Sequence, residues 1–386
     1  PKLVSSTLIL SFITLIIMSL AYFFTMTSSS DLKAYEEADV FSTINEDKSF
    51  FRVEQNVFTL GSTSLANDSL LGEYKSTHAY NTMVYGYVQQ EVAYYDVIRE
   101  SATAGYEGFN QRSPLLAINN VKYIIVRASE KTNIPYGFSY FASIQTKKTI
   151  PNQYNPVGLG YLDDDNYEES KIYRNDLFLP FGFVYHEYLT KSDLEGLSIP
   201  EKENLLLKAC LVDEELNLPK YLINSSIITK TPQITVLDSI ELVEGGFIAL
   251  KNEAKLKLSL DGLTNHELLI EITNLSNLDK NKDFSFYYET SKTKIKETSY
   301  GLGTNFYYHN PNHLVNLGYY DEGNVEITLT IPKGKYTYSD IIAYLRPMAS
   351  FENDINNLKQ DILKNLEFKQ NGFDGEITLL NKGILQ

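Results

Sequence analysis

Three tyrosine pairs have the residue type and spacing for chemistry at a surface: Tyr287-Tyr288, Tyr307-Tyr308 and Tyr319-Tyr320. Adjacent residues of a strand face opposite sides. Each pair is therefore expected to send one ring into a core and leave the other exposed. An exposed tyrosine offers an apolar face and a polar tip, which suits stacking against a sugar ring. All six are candidate glycan-stacking residues, although ordinary strand filling accounts for the same pairs.

Other constellations carry less. Asp163-Asp164-Asp165-Asn166 with Glu168 and Glu169 has the charge for calcium. As an EF-hand loop it fails, with Glu168 where glycine is required and Arg174 where the bidentate glutamate belongs. A solvated acidic loop is expected instead. His309 and His313 have i,i+4 spacing, but Pro311 lies between them and no cysteine or third histidine is near, so a zinc site is not expected. No GxSxG, phosphate-binding glycine loop or HExxH occurs. The residues thus assign no catalytic, cofactor-binding or metal-binding role, and no cofactor is expected in this chain.

The elements that must position any site begin with the chain's first 26 residues. Leu3 to Met26 is apolar and uncharged, and Lys2 is the sole charge before it ends. As a helix it reaches about 36 Å, enough for a hydrocarbon core of about 30 Å. It reads as a transmembrane helix in the lipid bilayer. Lys2 on the leading flank places the N-terminus in the cytoplasm and the bulk of the chain outside the cell. A cleaved signal would have a shorter core and a small-residue cleavage site. Thr7, Ser11, Thr14, Met18, Ala21 and Thr25 fall on one helical face. Such a stripe invites other transmembrane helices of the same protein, and a start on Pro1 reads as a fragment of a multi-span protein.

The remainder is polar and acidic. The net charge of the 386 residues is −15, which argues against nucleic acid or an anionic lipid surface as a partner; a polyanion would be repelled too, unless a local basic patch exists. One cysteine, Cys210, excludes an intrachain disulfide and suits a bacterial cell surface. It lies in a helical-looking stretch over 199–215. Further helices are expected over 31–48, 79–100 and 351–366, and strands over 50–54 and 121–127. Residues 172–175 and 181–185 look like a strand pair. From about residue 231, short strands recur at 234–243, 247–250, 254–260, 267–273, 283–290, 304–309, 314–319, 324–331 and 341–346, with one more at 376–380. This is the rhythm of an antiparallel β-sandwich of jelly-roll type. The fold class is therefore α+β in three parts: a transmembrane helix over 1–26, a mixed α/β external domain over 27–230 and a jelly-roll-like sandwich over 231–386.

Several segments, in order, resemble the external C-terminal region of the YfhO family of bacterial multi-span membrane proteins. They are Phe50-Phe51-Arg52-Val53-Glu54, Tyr74-Lys75-Ser76-Thr77, and Pro114-Leu115-Leu116 leading into Asn120-Val121-Lys122-Tyr123-Ile124-Ile125. Tyr173-Arg174-Asn175 follows, with Leu179-Pro180-Phe181-Gly182-Phe183-Val184-Tyr185, and then His313-Leu314-Val315-Asn316-Leu317-Gly318-Tyr319. The resemblance implies a GT-C-type glycosyltransferase that moves a sugar from a polyisoprenyl phosphate carrier onto cell-surface polymers such as lipoteichoic acid. The catalytic acid of that class lies in an early external loop, and nothing in this chain corresponds to it. The implied partner of the external region is a cell-surface glycan polymer. A single-span surface module that binds glycans or proteins without catalysis is the alternative.

Overall fold

The computed structural model describes residues 44, 46, 47, 49–55, 74–80, 90, 93–97, 105–150, 161–278, 283–299, 311–362, 384 and 385. The first half contains strands β1 (Arg52–Gln55), β2 (His78–Tyr80) and β3 (Gly105–Glu107), helix α1 (Ser113–Ile118), and strands β4 (Val121–Arg127), β5 (Phe138–Ile150) and β6 (Tyr161–Asn175). Next come β7 (Val184–Tyr185), β8 (Tyr188–Thr190), helix α2 (Ile199–Leu205), β9 (Cys210–Val212) and β10 (Ile228–Lys230). The second half contains β11 (Gln233–Asp238), β12 (Ile240–Val243), β13 (Gly246–Ala249), β14 (Ala254–Asp261), β15 (His266–Thr273), β16 (Ser276–Asn277), β17 (Phe284–Glu289) and β18 (Lys294–Ser299). It ends with β19 (His313–Tyr320), β20 (Asn324–Ile331), β21 (Gly334–Thr337), β22 (Asp340–Pro347), helix α3 (Met348–Gln360) and β23 (Ile384–Leu385).

The protein is mostly antiparallel β-sheet. The sheet β11-β14-β20-β17-β18 faces the sheet β10-β22-β15-β19, and β12-β13-β21-β16 extends the layer. The reason lies in period-2 patterning. In β14, Ala254, Leu256, Leu258 and Leu260 point inward while Lys255 points out. Its partner β20 answers with Val325, Ile327, Leu329 and Ile331, in register along all eight residues. These side chains meet Leu268, Ile270 and Ile272 of β15 and Val315 and Leu317 of β19 in one core. Ahead of the sandwich, the sheet β1-β4-β6-β5 pairs β1 with β4 in parallel and the others antiparallel.

β15 is buried on both faces. Leu268, Ile270 and Ile272 fill the sandwich, whereas Glu267, Leu269 and Glu271 face the first half of the chain. Glu267 is the end of a fully buried ionic chain. Glu203 of α2 binds Arg112 at 2.8 Å and Arg346 of β22 at 2.6 Å, and Arg346 also pairs with Glu267. The opening Ser113 amide and hydroxyl of α1 donate to the Glu267 carboxylate at 3.1 and 2.8 Å, the favourable end of a helix for an anion. α2 is started by a capping box between Ser198 and Glu201, with Pro200 in its first turn.

Several sequence expectations are corrected. The helix expected over 199–215 ends at Leu205, and Cys210 lies in β9, which pairs in parallel with β8. The apolar run there must fill two cores at once: Leu205 and Ala209 pack with Leu189 and Leu194, while Leu207 and Cys210 pack with Tyr185 and Met348. One helical face cannot serve both. Asp163-Asp164-Asp165 belongs to strand β6, not a loop, because β5 and β6 form a long hairpin held by backbone hydrogen bonds. Residues 172–175 and 181–185 do not pair with each other. The first pairs with β4 and β5, and Val184–Tyr185 pairs with β23. Ala79 and Tyr80 are strand, not helix. α3 starts at Met348 and ends at Gln360, ahead of the expected span.

The expected transmembrane helix over 1–26 lies outside the described residues, as do strands 304–309 and 376–380 and most of helix 31–48. Among the described residues, no helix is long and apolar enough to cross a membrane.

Candidate functional site

An open cleft of about 760 Å³ runs between the first half of the chain and the β17–β18 edge of the sandwich. Its floor starts from β1. Val53 points into an apolar cluster with Phe51, Tyr123 and Ile125, and the strand alternation that sends it there turns Glu54 the other way. Glu54 is nearly fully buried. Its two oxygens accept the backbone N–H groups of Phe109 and Gln111, each at 3.1 Å. Those donors belong to a turn whose Gly108, Asn110 and Gln111 all have positive φ (71°, 54° and 53°). That conformation is costly for the non-glycine residues, and the carboxylate holds it in place.

His78 of β2 sits beside Glu54, largely buried at the lining of the cleft. Burial pushes its imidazole down to about 4, so it is neutral at pH 7. Nδ1 lies 3.3 Å from the Thr77 hydroxyl. Gln55, also buried, accepts the Tyr74 hydroxyl at 2.6 Å. Asn316 of β19 donates to the carbonyls of Asn110 and Gln111 at 3.2 and 3.0 Å, tying the turn to the sandwich. The Gln111 side-chain nitrogen is buried without a hydrogen-bond partner among the described residues.

The opposite wall carries Tyr287, 38% exposed, with the Lys294 ammonium 5.8 Å from its ring centroid. Glu289 bridges the lobes by binding Lys131 at 2.8 Å, and this bond holds the Glu289 carboxyl below its ordinary range. The cleft therefore presents an aromatic face, amides, carboxylates and ammonium groups at its rim. That inventory suits a polyhydroxyl ligand.

Gly108 couples floor and turn. A Cβ there would lie 3.0 Å from both Glu54 Cδ and His78 Cε1, at a left-handed φ. Gly108→Ala is expected to cost about 2 kcal/mol, read as a lower urea midpoint with an unchanged slope.

The tyrosine pairs divide as strand geometry dictates. Tyr288 is fully buried while Tyr287 faces the cleft. Tyr320 is buried and donates to Thr290 at 3.0 Å. Tyr319 is half-buried against Tyr136, with ring centroids 5.0 Å apart. Tyr307 and Tyr308 lie outside the described residues. The structure brings one candidate, Tyr287, to the cleft, and does not gather the others there. Sequence reasoning missed Glu54, His78 and Asn316. A carboxylate directly after Val53, inside the short strand Arg52–Gln55, was the available signal for Glu54. His313 is a core residue whose Nε2 lies 2.6 Å from the Ser299 hydroxyl and Nδ1 3.3 Å from the Tyr288 hydroxyl; His309 is outside the described residues.

Comparison with solved structures finds slight likenesses. CBM35 from Cellvibrio japonicus Abf62 is 10% identical, covering 31% of this chain and 96% of that one, with a TM-score of 0.23. A family two carbohydrate esterase from Clostridium thermocellum, in complex with cellohexaose, is 11% identical over 28% of this chain and 30% of that one, with a TM-score of 0.20. At such TM-scores the likeness carries no argument. In sequence, the chain is 25% identical over 285 residues to a Bacillus subtilis (strain 168) protein named Uncharacterized protein YfhO. The match takes in 70% of this chain and 27% of that protein, so the chain spans a minor part of that relative's length. The family model described as Bacterial membrane protein YfhO matches residues 2–385, and the chain belongs to that membrane-protein family.

Proposed function

We propose that residues 27–386 are the extracellular region of a YfhO-family glycosyltransferase and that the cleft holds its acceptor, a cell-surface glycan polymer such as lipoteichoic acid. In this reading residues 1–26 cross the bilayer with the N-terminus in the cytoplasm and pack against other spans of the same protein. Those spans would carry out the transfer from a polyisoprenyl phosphate sugar. The sandwich would be of jelly-roll type.

The observation that carries the reading is the exposed ring of Tyr287 facing a floor of buried, hydrogen-bonded polar groups. A sugar ring stacks on the one and exchanges hydroxyl hydrogen bonds with the other. Titration of the full chain with deacylated lipoteichoic acid, followed by calorimetry, tests it. Tyr287→Ala is expected to weaken binding about tenfold, the loss of one stacked ring. No binding, or binding indifferent to Tyr287, overturns the acceptor role. Tyr287-dependent binding with sugar transfer unchanged in membranes carrying the variant would favour the non-catalytic binding module.

A further inference from the structure

The cleft borders the outer face of the sheet β11-β14-β20-β17-β18. Alternation sends the core side chains of these strands to one side and their polar side chains to the other. The strand register shows which polar side chains are neighbours. Thr235, Lys257, Thr328, Glu289 and Lys294 stand opposite one another in turn, one from each strand. The adjoining row is Lys255, Thr330, Tyr287 and Lys296. All of these residues are exposed or half-buried, and Tyr287 carries the one aromatic ring among them.

A second hollow, of about 680 Å³, lies over β11, β14 and β20. The Lys230 ammonium at its wall binds the Asp261 carboxylate at 2.8 Å, and Lys257 binds Glu326 at 2.8 Å. Gln233, Thr235, Ser259 and Asn324 also line it, and their side chains make no hydrogen bond among the described residues. Thr328 joins this hollow to the cleft. Its neighbour on one side, Glu289, lines the cleft, and its neighbour on the other, Lys257, lines the hollow. At about 4.8 Å per strand, Glu289 and Lys257 are roughly 10 Å apart, and the whole row from Lys294 to Thr235 spans about 19 Å.

We propose that this face is a second subsite for the polymer held in the cleft. One extended polyhydroxyl chain runs from Tyr287 over Thr328 into the hollow. The proposal rests on the glycan reading of the cleft and extends it from a single stacked ring to several repeat units. The chemistry of the face matches. Hydroxyl, amide and ammonium groups that have no partner in the protein exchange hydrogen bonds with ligand hydroxyls, and no apolar side chain stands in the two rows between Tyr287 and the hollow. Charge agrees with this occupant. Lys255, Lys257, Lys294 and Lys296 balance Asp238, Asp261, Glu289 and Glu326 along the path, on a chain whose net charge is −15. Lys296 makes no ion pair among the described residues and remains available to an anionic group. A phosphate-bearing polymer that the chain as a whole repels is therefore tolerated here.

Deacylated lipoteichoic acid, separated by chain length, is titrated calorimetrically into the full chain in detergent. A fraction long enough to cross the face is expected to bind about tenfold tighter than one confined to the cleft. Gln233→Ala with Asn324→Ala removes two hydrogen-bonding side chains and is expected to erase that tenfold gain, with binding of the short fraction unchanged. Thr328→Trp obstructs the path and is expected to do the same. Gln233 and Asn324 are both exposed, so their double variant keeps the test decisive should the tryptophan disturb the sheet. Equal affinity for the two fractions, or a length gain that survives both variants, marks a merely solvated face and overturns the proposal while the cleft reading stands. A short fraction that fails to bind, or that ignores Tyr287→Ala, overturns the cleft reading and the second subsite with it.

Discussion

Replacing Glu203 with alanine lowers the unfolding free energy by about 3–5 kcal/mol, read from urea unfolding of the full chain in detergent. Glu203 is the one anion between Arg112 and Arg346, and all three side chains are fully buried. Removing it strands two guanidinium groups out of water. Arg112 keeps backbone acceptors at Tyr95 and Asp96, and Arg346 keeps Asn204 at 2.7 Å and Glu267. Neither set replaces the lost charge. The intact chain of alternating charges is a different matter, because the cost of burying four ions offsets much of their attraction. The network therefore fixes how α1 and α2 meet β15 and β22 more than it adds stability. A double-mutant cycle with Arg346→Met measures this: the pair should cost clearly less than the two single changes together. As a contrast, Lys257→Ala removes a pair whose partner Glu326 is 68% exposed and should cost less than about 1 kcal/mol. A Glu203→Ala cost no larger than that would refute the assignment.

Acidification from pH 7 to pH 5 should remove about 2 kcal/mol of stability for each of two buried histidines. Burial pushes His313 down to about 3 and His78 down to about 4, from an ordinary 6.5. Both folded-state values are depressed, so the unfolded chain takes up these protons first. The stability is complete above pH 6.5 and is lost progressively as pH falls toward 4 for His78 and 3 for His313. The paired Asp47, held down at about 2 by Lys122 and other hydrogen bonds against its burial, loses its contribution below pH 3.8 and stays out of this window. His313 is walled by Phe284, Phe286 and Tyr288 in the sandwich core, which leaves no room to solvate an imidazolium. His313→Gln should flatten the melting-temperature profile between pH 7 and 5 by about half, even where it lowers stability at pH 7. A profile of unchanged slope would show that His313 does not titrate with unfolding.

Much of the second half was legible because its strands obey one local rule. β14 and β20 alternate inward and outward side chains, and turns rich in Gly, Asn and Asp separate the strands. The Tyr287-Tyr288 pair behaved as that rule requires. The short strands β16 and β21 have no such rhythm and were not foreseen. β5 and β6 were hidden for the opposite reason: their charged residues look like loop, yet a long hairpin needs only backbone pairing. The 199–215 run carried a helical pattern that lost to packing demands from two cores.

The sequence by itself determined the period of the sandwich strands, the apolar leading segment, the acidic balance and membership in a membrane-protein family. Those depend on neighbours along the chain or on the order of motifs. Tertiary structure alone decided that Glu267, on what reads as the wet face of β15, is buried against Arg346. It also decided that Glu54 and His78 share a cleft with Tyr287. Such pairings join residues as much as two hundred positions apart. No local periodicity encodes them, because a strand pattern fixes which side a residue faces and leaves open what covers that side.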